Sequence, residues 1–220
     1  MSLEATHIRF ALDLRDKYKI KDINQYISGA IYPDSRYVTG IKRSLTHDDR
    51  FLLPEFASDD FHRGWQAHQI CDLVFGVIIE ELFPDLVYVS YDPHYRKEWI
   101  TSTAIKIIQD MDDLKFFDIQ GCIKCLDYTN NPNGEDIKGV KTYNKIMTKL
   151  YKNEKIINLD GYINMWRELG QEDNLCEELR AKTQEFLDNP KIIIRIKAIY
   201  KEMINSYSDI VSKRISEKLV

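Results

Sequence analysis

The chain has 220 residues and a formal net charge of −4, with 44% hydrophobic and 30% charged residues. This length suits one domain, and the composition is ordinary for a soluble globular protein. The acidic balance gives no general attraction for nucleic acid, and no run of about 18 apolar residues predicts a transmembrane helix. The first residues lack the basic-then-apolar pattern of a secretory signal. We therefore expect one domain over residues 1–220, located in the cytoplasm.

Long stretches with apolar residues every three to four positions, and only nine Gly and six Pro, predict an all-α, multi-helix fold. Asp22 is a cap for the second helix, and Pro33 ends it. The predicted helices span 4–19, 23–30, 59–82, 96–111, 114–128, 137–152, 159–169, 173–187 and 190–217. A polar loop carrying His47 runs from the second helix to Asp60, and residues 88–91 are the one weak strand candidate.

The remainder of the chain, about 96–220, offers no residues that we can assign to chemistry. Cys122 and Cys125 form a lone Cys-x-x-Cys, and without a second pair they are interpreted as packed, reduced thiols. The last predicted helix is apolar over more than one stripe, which makes it a candidate surface for a homo-oligomer.

Five side chains of metal-binding type come early in the chain: three imidazoles and two carboxylates. They are His7, Asp34, His47, His68 and Asp72. His68 and Asp72 are four apart in the most apolar helix, where such a pair shares one face with Cβ atoms roughly 5–6 Å apart. That spacing lets two side chains bind one ion. Imidazole with carboxylate suits Zn²⁺, and also Fe or Mn.

The order and local sequence of these residues resemble the zinc-dependent phospholipase C family, whose all-helical fold is shared by related single-strand-specific nucleases. The matching segments are Thr6-His7-Ile8, Gly29-Ala30-Ile31-Tyr32-Pro33-Asp34, His47 and the His68-x-x-x-Asp72 pair. The resemblance covers about residues 5–75 and implies that the metal-site half of the chain is about 4–95. It implies a similar fold, with the five residues as metal ligands.

The chain departs from this family after Asp72. The family's complete three-metal cluster needs a later His and a His-x-x-x-Glu pair, whereas here only His94 follows and no His-x-x-x-Glu occurs. We therefore expect one ion held by the last four of the five ligands. A second ion would bind at His7, with Asp72 as a bridge.

The expected function is hydrolysis of a small phosphate ester, because a divalent ion activates water and polarises a phosphoryl oxygen. The expected reaction includes hydrolysis of phosphodiesters, as in the family that the chain resembles. Asp48 or Asp49 is a candidate to take the proton from water. Arg36 is the first candidate to bind phosphate oxygens. Other arginines near the ligands in sequence are Arg43, Arg50 and Arg63.

Two alternatives stay open at this point. An HD-type phosphohydrolase, also all-helical, would use His7, the adjacent His47 and Asp48, and a later acid such as Asp72. A non-catalytic helical protein would hold a structural or vestigial metal, or a buried polar network in its place. His62 and His94 are interpreted as surface or supporting groups.

Overall fold

A computed structural model of the protein describes residues 2–84, 96–152 and 157–218. Within these ranges the chain is compact and helical, and no strand is present. The α-helices are α1 (Glu4–Tyr18), α2 (Ile23–Ile31), α3 (Arg36–Thr39), α4 (Asp60–Leu82), α5 (Arg96–Asp113), α6 (Ile119–Ile123), α7 (Ile137–Tyr151), α8 (Leu159–Glu168), α9 (Asp173–Leu187) and α10 (Pro190–Lys218). The all-α prediction is confirmed, and most helix bounds agree within two residues.

The predicted helix over 114–128 is wrong as a single element. The chain leaves the helical path after α5, and Asp118 then caps α6 by accepting a hydrogen bond from Gly121 N. An aspartate that bonds to a nearby backbone N–H starts a helix better than it continues one. After α6 the segment tightens into a 3₁₀ turn over Lys124–Asp127.

Two sequence expectations fall on residues outside the described ranges: the strand candidate at 88–91 and His94. In the described part of the chain, every helix is too short or too polar to cross a bilayer.

Helices α2 and α4 are in close contact near the site, and this contact depends on two glycines. A Cβ on Gly64 would lie 1.9 Å from Tyr26 O, and one on Gly29 would lie 2.0 Å from Phe61 O. Only residues without a side chain let the two backbones approach so far. This contact places the end of α2, and Asp34 just after it, beside the middle of α4.

Helix α4 is central, since it packs against α1, α2 and α10. Its Ile70, Val74 and Ile78 are buried in the main apolar core. Helix α10 contributes Ile196 to the same core, whereas Ile194 is 70% exposed. The oligomer expected through α10 stays a prediction.

Candidate metal centre

Five side chains from four segments converge at the centre of the fold, and we call them the metal-ligand cluster. They are His7 on α1, Asp34 in the 3₁₀ turn Tyr32–Ser35, His47 in the following loop, and His68 and Asp72 on α4. Each of the five side chains is at most 5% exposed. The residues that the sequence singled out are therefore brought together in one buried place.

The backbone around α2 fixes the orientation of His68. Its Nδ1–H donates to Ala30 O at 2.8 Å, which the close approach of α2 and α4 at Gly29 and Gly64 makes possible. A neutral imidazole that donates through Nδ1 presents the lone pair of Nε2. Such a carbonyl partner is the usual support of a metal-binding histidine.

His47 can adopt the same tautomer through its neighbour Thr46. The Thr46 Oγ1 lies 2.8 Å from His47 Nδ1 and 3.3 Å from Arg43 O. When the hydroxyl donates to Arg43 O, it accepts a hydrogen bond from His47 Nδ1–H, and His47 Nε2 then presents a lone pair. The two Nε2 atoms of His47 and His68 are 3.1 Å apart. A cation between them would satisfy both lone pairs.

The potential ligand atoms form two groups that share His68, and within each group all ligand atoms lie within 4.8 Å of one another: Asp34, His47 and His68, and His7, His68 and Asp72. His47 Nε2 lies 3.4 Å from Asp34 Oδ1 and 3.5 Å from Asp72 Oδ2, and His68 Nε2 lies 3.7 Å from Asp72 Oδ2. Four ligands at the usual Zn–N and Zn–O distances of about 2.0–2.1 Å stand about 3.3 Å apart. Asp34 Oδ1 accepts no hydrogen bond although it is buried. The donors therefore fit a small divalent cation.

Asp72 is placed to serve two ions. Its Oδ2 faces His47 and His68, while its Oδ1 lies 3.4 Å from His7 Nε2 and accepts a hydrogen bond of 2.7 Å from Ser2 N. The His7 ring stacks on the His68 ring with centroids 3.7 Å apart. A second site at His7 in which Asp72 is the bridge stays a prediction.

The electrostatics favour carboxylates and neutral imidazoles at the first site. Burial opposes ionisation of Asp34, but His47 and His68 outweigh it and hold the pKa of Asp34 below its ordinary value. Burial lowers the pKa of His47, and it lowers the pKa of His68 well below its ordinary value. Imidazole binds a metal only when it is neutral, so these side chains need not lose a proton first.

The electrostatics at His7 are different. Burial opposes its charge, but neighbouring Cys71 and Asp72 raise the pKa of His7 well above its ordinary value. A metal bound at His7 must therefore displace a proton, which weakens binding there.

The three predicted catalytic residues, Arg36, Asp48 and Asp49, have different neighbours in the structure. Arg36 is close, with its Nε 3.8 Å from Asp34 Oδ1 and its guanidinium over the Tyr37 ring. Asp48 caps a 3₁₀ turn by accepting from Arg50 N at 2.9 Å, and Asp49 lies 3.4 Å from Arg214 Nε. The last two contacts tie Asp48 and Asp49 to other groups, and a role as proton acceptor stays a prediction.

Other candidates from the sequence have partners away from the cluster. Arg63 pairs with Asp60 at 3.1 Å, and His62 pairs with Asp59 at 2.8 Å near the start of α4. The side chain of His62 is partly exposed, which agrees with its interpretation as a surface residue.

Sequence reasoning missed three residues beside the cluster: Glu4, Lys106 and Trp166. All three line one cavity together with Asp34. Lys106 had a visible signal, because it interrupts an apolar run on a helix, Ala104–Ile108. The helical spacing of Trp166 indicated only a core or groove-lining residue, since periodicity cannot say which faces of distant helices meet.

Comparisons of the chain with protein families, with curated proteins and with solved structures found no match. The likeness to zinc-dependent phospholipase C therefore rests on the motifs of residues 5–75 alone.

Proposed function

We propose that this protein is a metal-dependent hydrolase of phosphate esters, similar to zinc-dependent phospholipase C in its first metal site. One observation carries the proposal. Ligand atoms of Asp34, His47 and His68 lie within 4.8 Å of one another, and Asp72 Oδ2 lies 3.5 Å from His47 Nε2 and 3.7 Å from His68 Nε2. Their side chains are nearly or fully buried, and each belongs to a metal-binding type.

The ligand set supports a divalent ion with mixed nitrogen and oxygen preference, Zn²⁺ first and Fe or Mn next. When bound, such an ion activates water as a nucleophile and polarises a phosphoryl oxygen. The chain's own residues supply the surroundings. Asp34 borders the adjacent cavity, so the cluster is approached from that side.

Glu4 supports acid–base chemistry in the same cavity. Burial, and then the charge of Asp34, raise the pKa of Glu4 to about 8. Its Oε1 accepts a hydrogen bond from Tyr143, while its Oε2 is buried and has no hydrogen-bond partner. Glu4 can therefore hold a proton at Oε2 near neutral pH. A carboxylic acid of raised pKa suits proton donation to a leaving oxygen.

The test is hydrolysis by zinc-loaded protein of p-nitrophenyl phosphate and bis(p-nitrophenyl) phosphate. We expect turnover by the wild type, abolished by chelation and restored by the metal. His68→Ala should lose at least about 100-fold in rate, because it removes a ligand. His62→Ala is the matched control and should keep the wild-type rate. A protein that binds metal yet hydrolyses neither ester would be a non-catalytic metal protein.

The HD-type alternative differs in its ligands, which makes it separable. It requires Asp48 beside His47, whereas the preferred set requires Asp34. The measured contact of His47 Nε2 with Asp34 Oδ1, 3.4 Å, supports the preferred set. We expect Asp34→Ala to lose bound metal and Asp48→Ala to retain it, measured as metal per chain. The opposite pattern would favour the HD-type assignment.

A further inference from the structure

A narrow cavity adjoins the metal-ligand cluster, and we call it the Lys106 cavity. Its walls include Glu4, Asp34, Trp99, Thr103, Lys106 and Trp166. Its volume is about 40 Å³, which is room for roughly three water molecules. The cavity therefore joins Asp34 of the cluster to side chains from α5 and α8.

Lys106 brings a positive charge into this cavity. It is half-buried between Ile105 and Ile107, both of which are buried in the core. Among the described residues, Lys106 forms no ion pair with a carboxylate. Burial lowers its pKa to about 8, while Asp72 and Asp34 act in the opposite direction. A half-buried lysine without an ion-pair partner loses part of its hydration, so an anion that pairs with it would be favoured here.

Trp166 supplies a hydrogen-bond donor to the same cavity. Its side chain is 4% exposed, and its Nε1 is buried without an acceptor. The ring is held edge-on between Tyr37 and Trp99, with centroid distances of 5.5 and 5.3 Å. A buried indole N–H normally finds a partner. Because the Trp166 ring is held in place and its N–H has no acceptor among the described residues, the N–H can donate to an acceptor on a ligand.

We propose that the Lys106 cavity binds the terminal phosphate oxygens of a phosphomonoester, with Lys106 Nζ and Trp166 Nε1–H as donors. This deepens the proposed function, since it names the substrate class of that site. A phosphomonoester has three unsubstituted phosphoryl oxygens, which match a cavity with room for about three waters. A diester carries a second organic group on its phosphate and does not match this cavity. A cation and a fixed N–H donor both suit a dianionic group, because hydrogen bonds to a charged acceptor are stronger than those between neutral groups.

The first test measures binding of inorganic phosphate to zinc-loaded protein by calorimetry. Lys106→Met should weaken binding about 10- to 100-fold, the usual worth of a hydrogen bond to a charged group. Lys106→Arg should recover part of that loss. Trp166→Phe keeps the ring without the N–H and should weaken binding about 3- to 10-fold. Lys145→Met, an exposed lysine on α7, should bind as the wild type does.

The second test uses the two p-nitrophenyl esters. Lys106→Met should raise KM for the monoester more than it lowers kcat, and it should reduce the preference for monoester over diester. Zinc-loaded wild type that binds no phosphate at millimolar concentration, or Lys106→Met that binds it within twofold of wild type, would overturn the inference.

The two proposals fail in different ways. Lys106-dependent phosphate binding without hydrolysis of any ester would refute the hydrolase and leave the anion site standing. If the variants at Lys106 and Trp166 hydrolyse the esters as the wild type does, the anion site is refuted and the proposed hydrolase activity is not.

Discussion

Two buried polar clusters lie close together in this core, and their carboxylates are satisfied in different ways. Asp110 on α5 accepts hydrogen bonds from Thr6 N at 2.9 Å and from the hydroxyls of Tyr151 and Tyr162 at 2.6 Å each. We call these four residues the Asp110 cluster. In the metal-ligand cluster, Asp34 Oδ1 is equally buried but accepts no hydrogen bond.

Under the proposed function, this difference separates a structural network from a binding site. Buried polar groups are nearly always hydrogen-bonded, and the Asp110 cluster follows that rule with donors from α1, α7 and α8. The chain can therefore surround a buried acid with donors. Where it surrounds Asp34 and Asp72 with the Nε2 atoms of His47 and His68 instead, a cation is the partner that fits.

The largest expected effect comes from the helix contact that supports the metal-ligand cluster. Gly64→Ala places a Cβ 1.9 Å from Tyr26 O and 2.8 Å from Ala30 N. Because backbone atoms must move, we expect a loss of about 4 kcal/mol in the free energy of unfolding. The displaced Ala30 carbonyl should also weaken metal binding through His68.

Gly76→Ala is the matched control, because it lies on the same helix and its added Cβ meets nothing within 4 Å. There we expect a gain of up to about 1 kcal/mol from helix propensity. Chemical denaturation of both variants measures the contrast. Equal effects from the two substitutions would contradict the role given to the α2–α4 contact.

Breaking the Asp110 cluster should reduce stability without changing metal content. Asp110→Ala leaves two tyrosine hydroxyls and one backbone N–H buried without their acceptor, which should cost about 3 kcal/mol. Denaturant unfolding gives this value, and elemental analysis of the folded variant gives the metal content. A variant that loses its metal while staying folded would show that the two clusters are not separate in function.

Adding metal should stabilise the wild type and do nothing for a variant without the site. Zinc at 100 times its dissociation constant should raise the free energy of unfolding by about 2.7 kcal/mol. His68→Ala should show no such rise, whereas the surface variant His62→Ala should show all of it. Thermal unfolding at several zinc concentrations provides the measurement. Equal stabilisation of His68→Ala would place the bound zinc elsewhere.

The smallest predicted effect is a pH dependence at Glu4, which lies between the two clusters. Its pKa is raised from 4.5 to about 8, so the folded protein keeps a proton that the unfolded chain releases. The stability due to Glu4 is complete below pH 4.5 and is lost as the pH rises through 8. In metal-free protein we expect a fall of about 1 kcal/mol per pH unit between pH 6 and 8.

Glu4→Gln should remove this part of the slope, because the amide cannot ionise and its carbonyl still accepts from Tyr143. Unfolding curves of both proteins at pH 6, 7 and 8 give the comparison. If the free energy of unfolding fell equally steeply with pH in the wild type and in Glu4→Gln, this would contradict the raised pKa of Glu4.

The sequence predicted what depends on local spacing. The bounds of α1, α2 and α4 followed from periodicity and from caps such as Asp22, and the pairing of His68 with Asp72 followed from helix geometry. The sequence did not predict that the helix is interrupted near Asp118, because helix propensity is compatible with a helix on both sides of that residue.

The Lys106 cavity was beyond sequence reasoning. Lys106 and Trp166 line one cavity with Asp34 although they come from distant helices, α5 and α8, and no local pattern encodes that arrangement. The roles suggested for Asp48 and Asp49 came from sequence proximity to His47. The structure instead pairs Asp49 with Arg214, which lies far along the chain.

The most direct test is the metal content of the protein after zinc loading and desalting, by elemental mass spectrometry. The wild type and His62→Ala should each carry one to two zinc ions per chain. The double variant with His68→Ala and Asp72→Ala should carry none while remaining helical by circular dichroism. A folded wild type that takes up no divalent metal would contradict the account and make the cluster a buried polar network.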